Sequence, residues 1–321
     1  SDVCSSDLIN TNGLMAKMAS LGDMKNTGTI NSTAYVTQLS SVGTLTNEGT
    51  IASSKQIAIS ATGDLVNAGT MKGTQLLSVA SGGNLTTRKG SNTVSDGQLA
   101  VSANNIDNAG SMRGNITYVE FSGDKLKVTG ELRGHSTLTV QSKKDDKVNS
   151  GLIYNTGSIS GNDVTIITNG NLDQEGNIIG QNSLSIKTNV LDNVYYIYGK
   201  SLNIESNYVR NRATIDGYNN TISAANGILN EGQISASGDL TLKTLNNANI
   251  TNYNTIKANG SLTMTTGTVK NGGYRCGFLN LATCGKGSIS ANKLVLNSYH
   301  NYASEMGGQQ QYKYAEINTI R

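Results

Sequence analysis

One phrase, Asn-x-Gly-x-apolar, returns along the chain at intervals close to twenty residues. It reads NTGTI at Asn26–Ile30, NEGTI at Asn47–Ile51 and NAGTM at Asn67–Met71, with spacings of 21 and 20 residues. It comes back as NAGSM at Asn108–Met112, NTGSI at Asn155–Ile159 and NEGQI at Asn230–Ile234. A period of this size marks a repeat architecture, in which each unit buries its apolar face only by stacking on the next. It argues against a globule with one central cleft. It predicts one continuous body over residues 9–321, where a length of 321 residues alone would suggest about two domains.

The residues inside one repeat define its local structure. Leu45, Asn47, Ile51, Ile57 and Ile59 recur as Leu65, Asn67, Met71, Leu77 and Val79. Downstream the set is Asn230, Ile234, Leu240 and Leu242, then Asn252, Ile256, Leu262 and Met264. The spacing of two within each short segment means strand, with alternate side chains on opposite faces. No stretch sustains the i, i+3, i+4, i+7 spacing of a helix. Each coil is therefore read as about three strands of three to five residues. They are joined at corners such as Ser60–Asp64 and Ser235–Asp239, where Gly and Asn are expected to supply positive φ. Three such strands close one rung of a parallel β-helix with about 20 residues per coil, an all-β solenoid. About thirteen or fourteen rungs at roughly 4.8 Å each predict a rod on the order of 60 Å. The absence of proline fits, because every interior strand must donate its N–H groups to a neighbouring rung. Apolar residues are only 36% of the chain, which suits a narrow core refilled in every coil.

The recurrent Asn follows an inward Leu or Ile by two positions, so alternation turns it inward as well. A buried amide needs partners. Stacked on its equivalents, each amide donates to one neighbour and accepts from the other, and the ladder pins the register. The ladder positions read from the sequence are Asn26, Asn47, Asn67, Asn108, Asn155, Asn230 and Asn252. Some coils depart from the phrase: Thr87–Asn92 and Val128–Leu132 keep the Gly without the Asn, while Asn211–Ile215 and Asn252–Ile256 keep the Asn without the Gly. Insertions are expected at Lys143–Gly151 and Gly272–Gly285, and an irregular stretch at Asn301–Tyr314.

Cys276 and Cys284 lie in the second insertion, and a pair at this spacing can staple a small loop in an oxidising setting. Two free thiols or half a metal site are the rival readings, with His300 as the sole nearby histidine. The first eight residues, Ser1–Leu8, match the translated tail of a sequencing-library adapter, so Cys4 stands outside this argument. Twelve of the 14 tyrosines follow Ser150, with Tyr195, Tyr196 and Tyr198 together. Tyrosine joins an apolar ring to a wet hydroxyl and is favoured at interfaces, so these three are candidates for partner contact or for covering a corner.

A net charge of +3 with scattered basic residues gives no basic stripe, so no nucleic-acid partner is expected. No run of eighteen apolar residues is present to span a membrane as a helix. Catalytic chemistry needs paired carboxylates, or a base with a cation, held on one face. The acids here, Glu48, Asp64, Glu231 and Asp239, sit at corners; Asp145 and Asp146 are flanked by lysines; His135 and His300 belong to different rungs. Neither a G-x-S-x-G elbow nor a calcium-binding G-G-x-G-x-D repeat occurs. No catalytic residue, cofactor or metal is predicted.

The phrase L-x-N-x-G-x-I, followed by L-x-I and a Gly/Asp corner, resembles the haemagglutinin repeats of filamentous-haemagglutinin-type exoproteins from about Asn10 to Met306. Those are the secreted partners of two-partner secretion systems, including adhesins and contact-dependent growth-inhibition toxin carriers. The resemblance implies a right-handed parallel β-helix, export through an outer-membrane transporter and display at the bacterial surface. A host-cell or neighbouring-cell receptor or glycan would be the partner. The family's N-terminal secretion domain and a C-terminal toxin module are not recognised here, so an interior piece of shaft is expected. The competing expectations are a polysaccharide-acting β-helix enzyme and a phage tailspike-like fibre, both of which share the coil physics.

Overall fold

The structure is a computed structural model that describes the backbone of residues 9–143, 151–245, 247–272, 274–276, 282–284, 287–298 and 309–319. Among the described residues there is no helix. The chain divides into two compact units, Ser1–Asn169 and Gly170–Arg321.

In the first unit the early coils hold three strands each, such as Leu45–Asn47, Thr50–Ser53 and Gln56–Ala61. Each pairs in parallel with its equivalent one coil on: Leu45 lies beside Leu65, Ile51 beside Met71, and Ile57 beside Leu77. The pairing holds side chains of one kind in columns. Leu45, Leu65, Leu85 and Ile106 form one column, and Ile59, Val79 and Val101 another, all 1% exposed or less. Burial alternates strictly along strands such as Gln56–Ala61 and Leu76–Ser81, which is the period-two pattern read from the sequence. The interior is thus a stack of near-identical layers. Burying each Leu or Ile in it contributes roughly 1.5–3 kcal/mol.

From Ser111 onward some strands are much longer than the three to five residues expected. Ser111–Phe121 and Glu131–Ser142 run through a corner without a break, bending where the pairing slips beyond Gly114 and Gly134. The second unit repeats the plan with still longer strands, Asn177–Asn193 and Tyr196–Asn211, again paired in parallel. Its columns are Ile178, Ile197, Ile215, Ile234 and Ile256 on one wall and Ile186, Ile204, Ile222, Leu242 and Met264 on another. Gln309–Thr319 pairs in parallel with Ser288–Ser298, so Gln309–Tyr314, expected to be irregular, is strand. Backbone pairing does not need the Asn-x-Gly phrase.

The corners work differently from the expectation. Among the described residues positive φ occurs only at Gly13, Gly90, Gly151, Gly227 and Asn247. Gly63 and Gly238, in the corners expected to use positive φ, do not have it, and Gly49 and Gly69 of the repeated phrase are required by crowding. A Cβ on Gly69 would run into the Gly49 carbonyl, and one on Gly49 into the Gly28 carbonyl. The preceding coil passes too close for a side chain.

Candidate contact surfaces and the buried amide ladder

All seven ladder asparagines predicted from the sequence are buried, from 0% exposed at most of them to 3% at Asn26. In the first unit Asn26 Nδ2 donates to Asn47 Oδ1 at 2.7 Å, and Asn47 Nδ2 to Asn67 Oδ1 at 2.8 Å. Asn67 then turns to Thr93 Oγ1 at 3.0 Å, because the next ladder place is held by Thr87. Thr87 donates to Asn108 Oδ1 at 2.5 Å, and the following place is Val128, with Asn155 one coil further.

In the second unit the ladder runs on without a break. Asn193 donates to Asn211 at 2.8 Å, Asn211 to Asn230 at 2.8 Å, Asn230 to Asn252 at 2.7 Å and Asn252 to Asn271 at 2.7 Å. Asn193, Asn211 and Asn271 belong to the ladder although they were not assigned to it from sequence, and Gln174 occupies the place beside Asn193. The available signal was the first half of the phrase alone: Leu191-x-Asn193, Val209-x-Asn211 and Val269-x-Asn271 keep the inward alternation.

A second bond recurs beneath the first. The amide nitrogen also donates to a backbone carbonyl of the next coil: Asn47 to Thr70 at 3.1 Å, Asn108 to Glu131 at 2.8 Å, Asn211 to Gln233 at 3.0 Å and Asn230 to Thr255 at 2.9 Å. Each ladder residue therefore clips a corner of the neighbouring coil. Asn26 Oδ1 and Asn271 Nδ2, at the ends of the two ladders, are buried without a partner among the described residues.

The corner acids are structural as well. Asp23, Asp64 and Asp239 each accept a backbone N–H of the next coil, from Thr44, Asn84 and Ser261, all at 2.7 Å. Glu48 pairs with Lys25 at 3.0 Å, and Glu231 with Arg210 at 2.8 Å. His135 is exposed at a corner; His300, Asp145 and Asp146 lie outside the described residues. No cluster of three or more His, Cys, Asp or Glu that could hold a metal is found among the described residues.

Three tyrosines of the second unit, Tyr195, Tyr196 and Tyr198, lie on neighbouring positions of the chain. Tyr196 and Tyr198, two apart on one outer face, stack with ring centroids 6.4 Å apart. Tyr195 is 54% exposed and shares a shallow cleft with Tyr196, Asn177, Ala213 and Thr214. Burial, then the nearby Asp216 carboxylate, pushes the Tyr196 phenol above its ordinary value, so the hydroxyl remains a neutral donor. The face offers aromatic area with polar tips, which suits a contact with a sugar or protein surface.

Cys276 and Cys284 lie in the two-stranded antiparallel hairpin of Tyr274–Cys276 and Ala282–Cys284. The backbone register sets Cys276 against Ala282 and Cys284 against Tyr274, so the cysteines stand diagonally. The inserted residues 144–150 lie outside the described residues. No helix of the described residues is long and apolar enough to cross a membrane.

The haemagglutinin repeat matches this chain over residues 19–88, 70–115, 134–195 and 204–298, more than half of its length. No curated protein and no solved structure matches it.

Proposed function

The chain belongs to the haemagglutinin-repeat family, and on that basis we propose that it is a shaft segment of a large secreted bacterial surface exoprotein. Members of this family are generally secreted surface proteins with a structural or adhesive rather than enzymatic role. In this reading the chain is exported through an outer-membrane two-partner-secretion transporter. It then holds binding or toxin modules away from the cell and meets a receptor or glycan on a host or neighbouring cell.

The observation that carries the reading is the in-register repetition of one inward set, coil after coil, with the polar residues of the interior and corners spent on coil-to-coil bonds. Such a plan extends by adding coils and demands nothing from the outward side chains. The stacked Tyr196 and Tyr198, with Tyr195, are the proposed contact face. A disulfide between Cys276 and Cys284 is proposed to staple the hairpin that carries them. Peptide mapping without reductant is expected to yield the linked pair, and free thiols in an oxidatively exported protein would remove it.

The decisive experiment incubates the purified chain with a panel of polysaccharides and sizes the products. Retention of saccharide with no shortening is expected. Shortened oligosaccharides would replace the shaft reading with the lyase or hydrolase one. Labelling intact cells that make the full-length exoprotein, with an antibody to this segment, tests display; staining only after lysis would refute it.

A further inference from the structure

Charges on this fold are answered one coil away. Lys25 meets Glu48 at 3.0 Å, Lys127 meets Asp107 at 3.3 Å, Arg210 meets Glu231 at 2.8 Å, and Arg212 meets Asp192. In the first unit the paired strands set like charges in register at Arg113 and Arg133. The two lie on the outer face, at a coil spacing of about 4.8 Å. Both are exposed, and among the described residues neither forms an ion pair. Like charges directly opposite on neighbouring strands cost stability, so an unrelieved pair points to something that offsets it.

The backbone makes room beside them. Two residues separate the paired strands at the corners Asp96–Gly97 and His135–Ser136, but only Asn115 stands between Gly114 and Ile116. The coil is one residue short there, and a cleft of about 600 Å³ opens between its neighbours. That volume lies within the roughly 300–1,000 Å³ of small-molecule sites. Arg113, Arg133 and Lys72 line it, and Asp96 answers Lys72 at 3.6 Å, leaving the arginines as the unbalanced charge. Glu131, two residues before Arg133 on the same strand, already accepts the Ser111 hydroxyl at 2.7 Å. The rest of the lining is amide and hydroxyl, as at Asn92, Asn115 and Thr70, with the His135 imidazole and with Val94 the one large apolar side chain.

The geometry points to an acidic oligosaccharide as the ligand of this cleft, with the guanidinium groups of Arg113 and Arg133 holding its oxyanion. The guanidinium fork matches the planar oxygen pair of a carboxylate and also accepts a sulfate. Amides and hydroxyls suit the sugar's own hydroxyls. His135 is the single aromatic ring of the lining, too few to stack the successive bases of a single-stranded nucleic acid, and there is no apolar wall for an acyl chain. This site is separate from the tyrosine face and does not depend on the shaft reading.

Calorimetry of the full chain at low salt tests it with three probes of equal length: an oligogalacturonate, a sulfated maltooligosaccharide and neutral maltooligosaccharide. One or both acidic probes are expected to bind and the neutral one not; which acidic probe binds identifies carboxylate or sulfate as the anion. The double variant R113A/R133A is expected to weaken binding at least about tenfold, the loss of one charge-assisted contact. The variant K25A/K187A, which removes the same charge elsewhere, is expected to bind as before. The assignment is overturned if neither acidic probe binds, if the neutral probe binds equally, or if both double variants lose affinity alike. Both arginines are exposed, and circular dichroism of each variant verifies that the coils remain intact.

Discussion

Two stretches of the same ladder are built differently. From Asn193 to Asn271 five amides hand one bond to the next without interruption. From Asn67 to Asn155 the sequence of places is Asn, Thr, Asn, Val and Asn, and the amide-to-amide link is absent. The coils stack in both. What survives in both is the bond from the ladder amide to the backbone of the next coil, present at Asn67 and Asn108 as at Asn211 and Asn230. The backbone clip is therefore the half of the ladder shared by both stretches, although the Val128 place makes neither bond. The amide chain is an additional bond that a hydroxyl at Thr87 or a methyl-bearing side chain at Val128 can replace.

Substitutions can break this contrast. The largest effect is expected for Asn211→Asp, which buries a carboxylate that cannot donate to Asn230 or to the Gln233 carbonyl. It should cost about 3–5 kcal/mol in urea unfolding at neutral pH. A carboxyl in that place has a raised pKa, so its neutral form favours folding, and the loss should shrink as pH falls below that raised value. A cost independent of pH would show that charge is not the cause. Next, Leu240→Ala in the second unit and Leu65→Ala in the first should each cost about 2–5 kcal/mol by opening a cavity, equally in the two regions. A clear difference between them would show that the cores, and not the ladders, distinguish the stretches.

Asn211→Ala should cost about 1–3 kcal/mol, and Asn108→Ala less, because Asn108 has one amide or hydroxyl neighbour bonded instead of two. Equal costs would refute the additive role given to the amide chain. Val128→Asn, which offers Asn108 a second acceptor, should change stability by no more than about 1 kcal/mol. The smallest effect is expected for Arg210→Ala: its partly exposed pair with Glu231 should contribute about 0.2–1 kcal/mol and vanish at high salt.

Much of this was legible in the chain. Leu45-x-Asn47 and Leu65-x-Asn67 state the alternation, and the following Gly states the corner, so coil, strand and ladder follow from residues close in sequence. Positive φ was expected at the corners of Gly63 and Gly238, which do not have it. At Gly69 glycine is selected by the Gly49 carbonyl of the preceding coil. Gln174 was missed because a longer amide does the work of Asn only where the register brings it beside Asn193. Among the candidate surfaces, the adjacent tyrosines stand out in sequence, whereas Arg113 and Arg133 look like two scattered cations.

The sequence by itself determined the period, the inward set and the all-β class, because alternation and turn chemistry act over a few residues and repeat. Only the tertiary structure decided which side chains become neighbours across a coil. That depends on the residue count at each corner, and a single missing residue at Asn115 shifts what faces what. The unanswered arginine pair, the crowded glycines and the interrupted ladder all arise from contacts between positions about twenty residues apart, where backbone pairing, and not local preference, sets the distance.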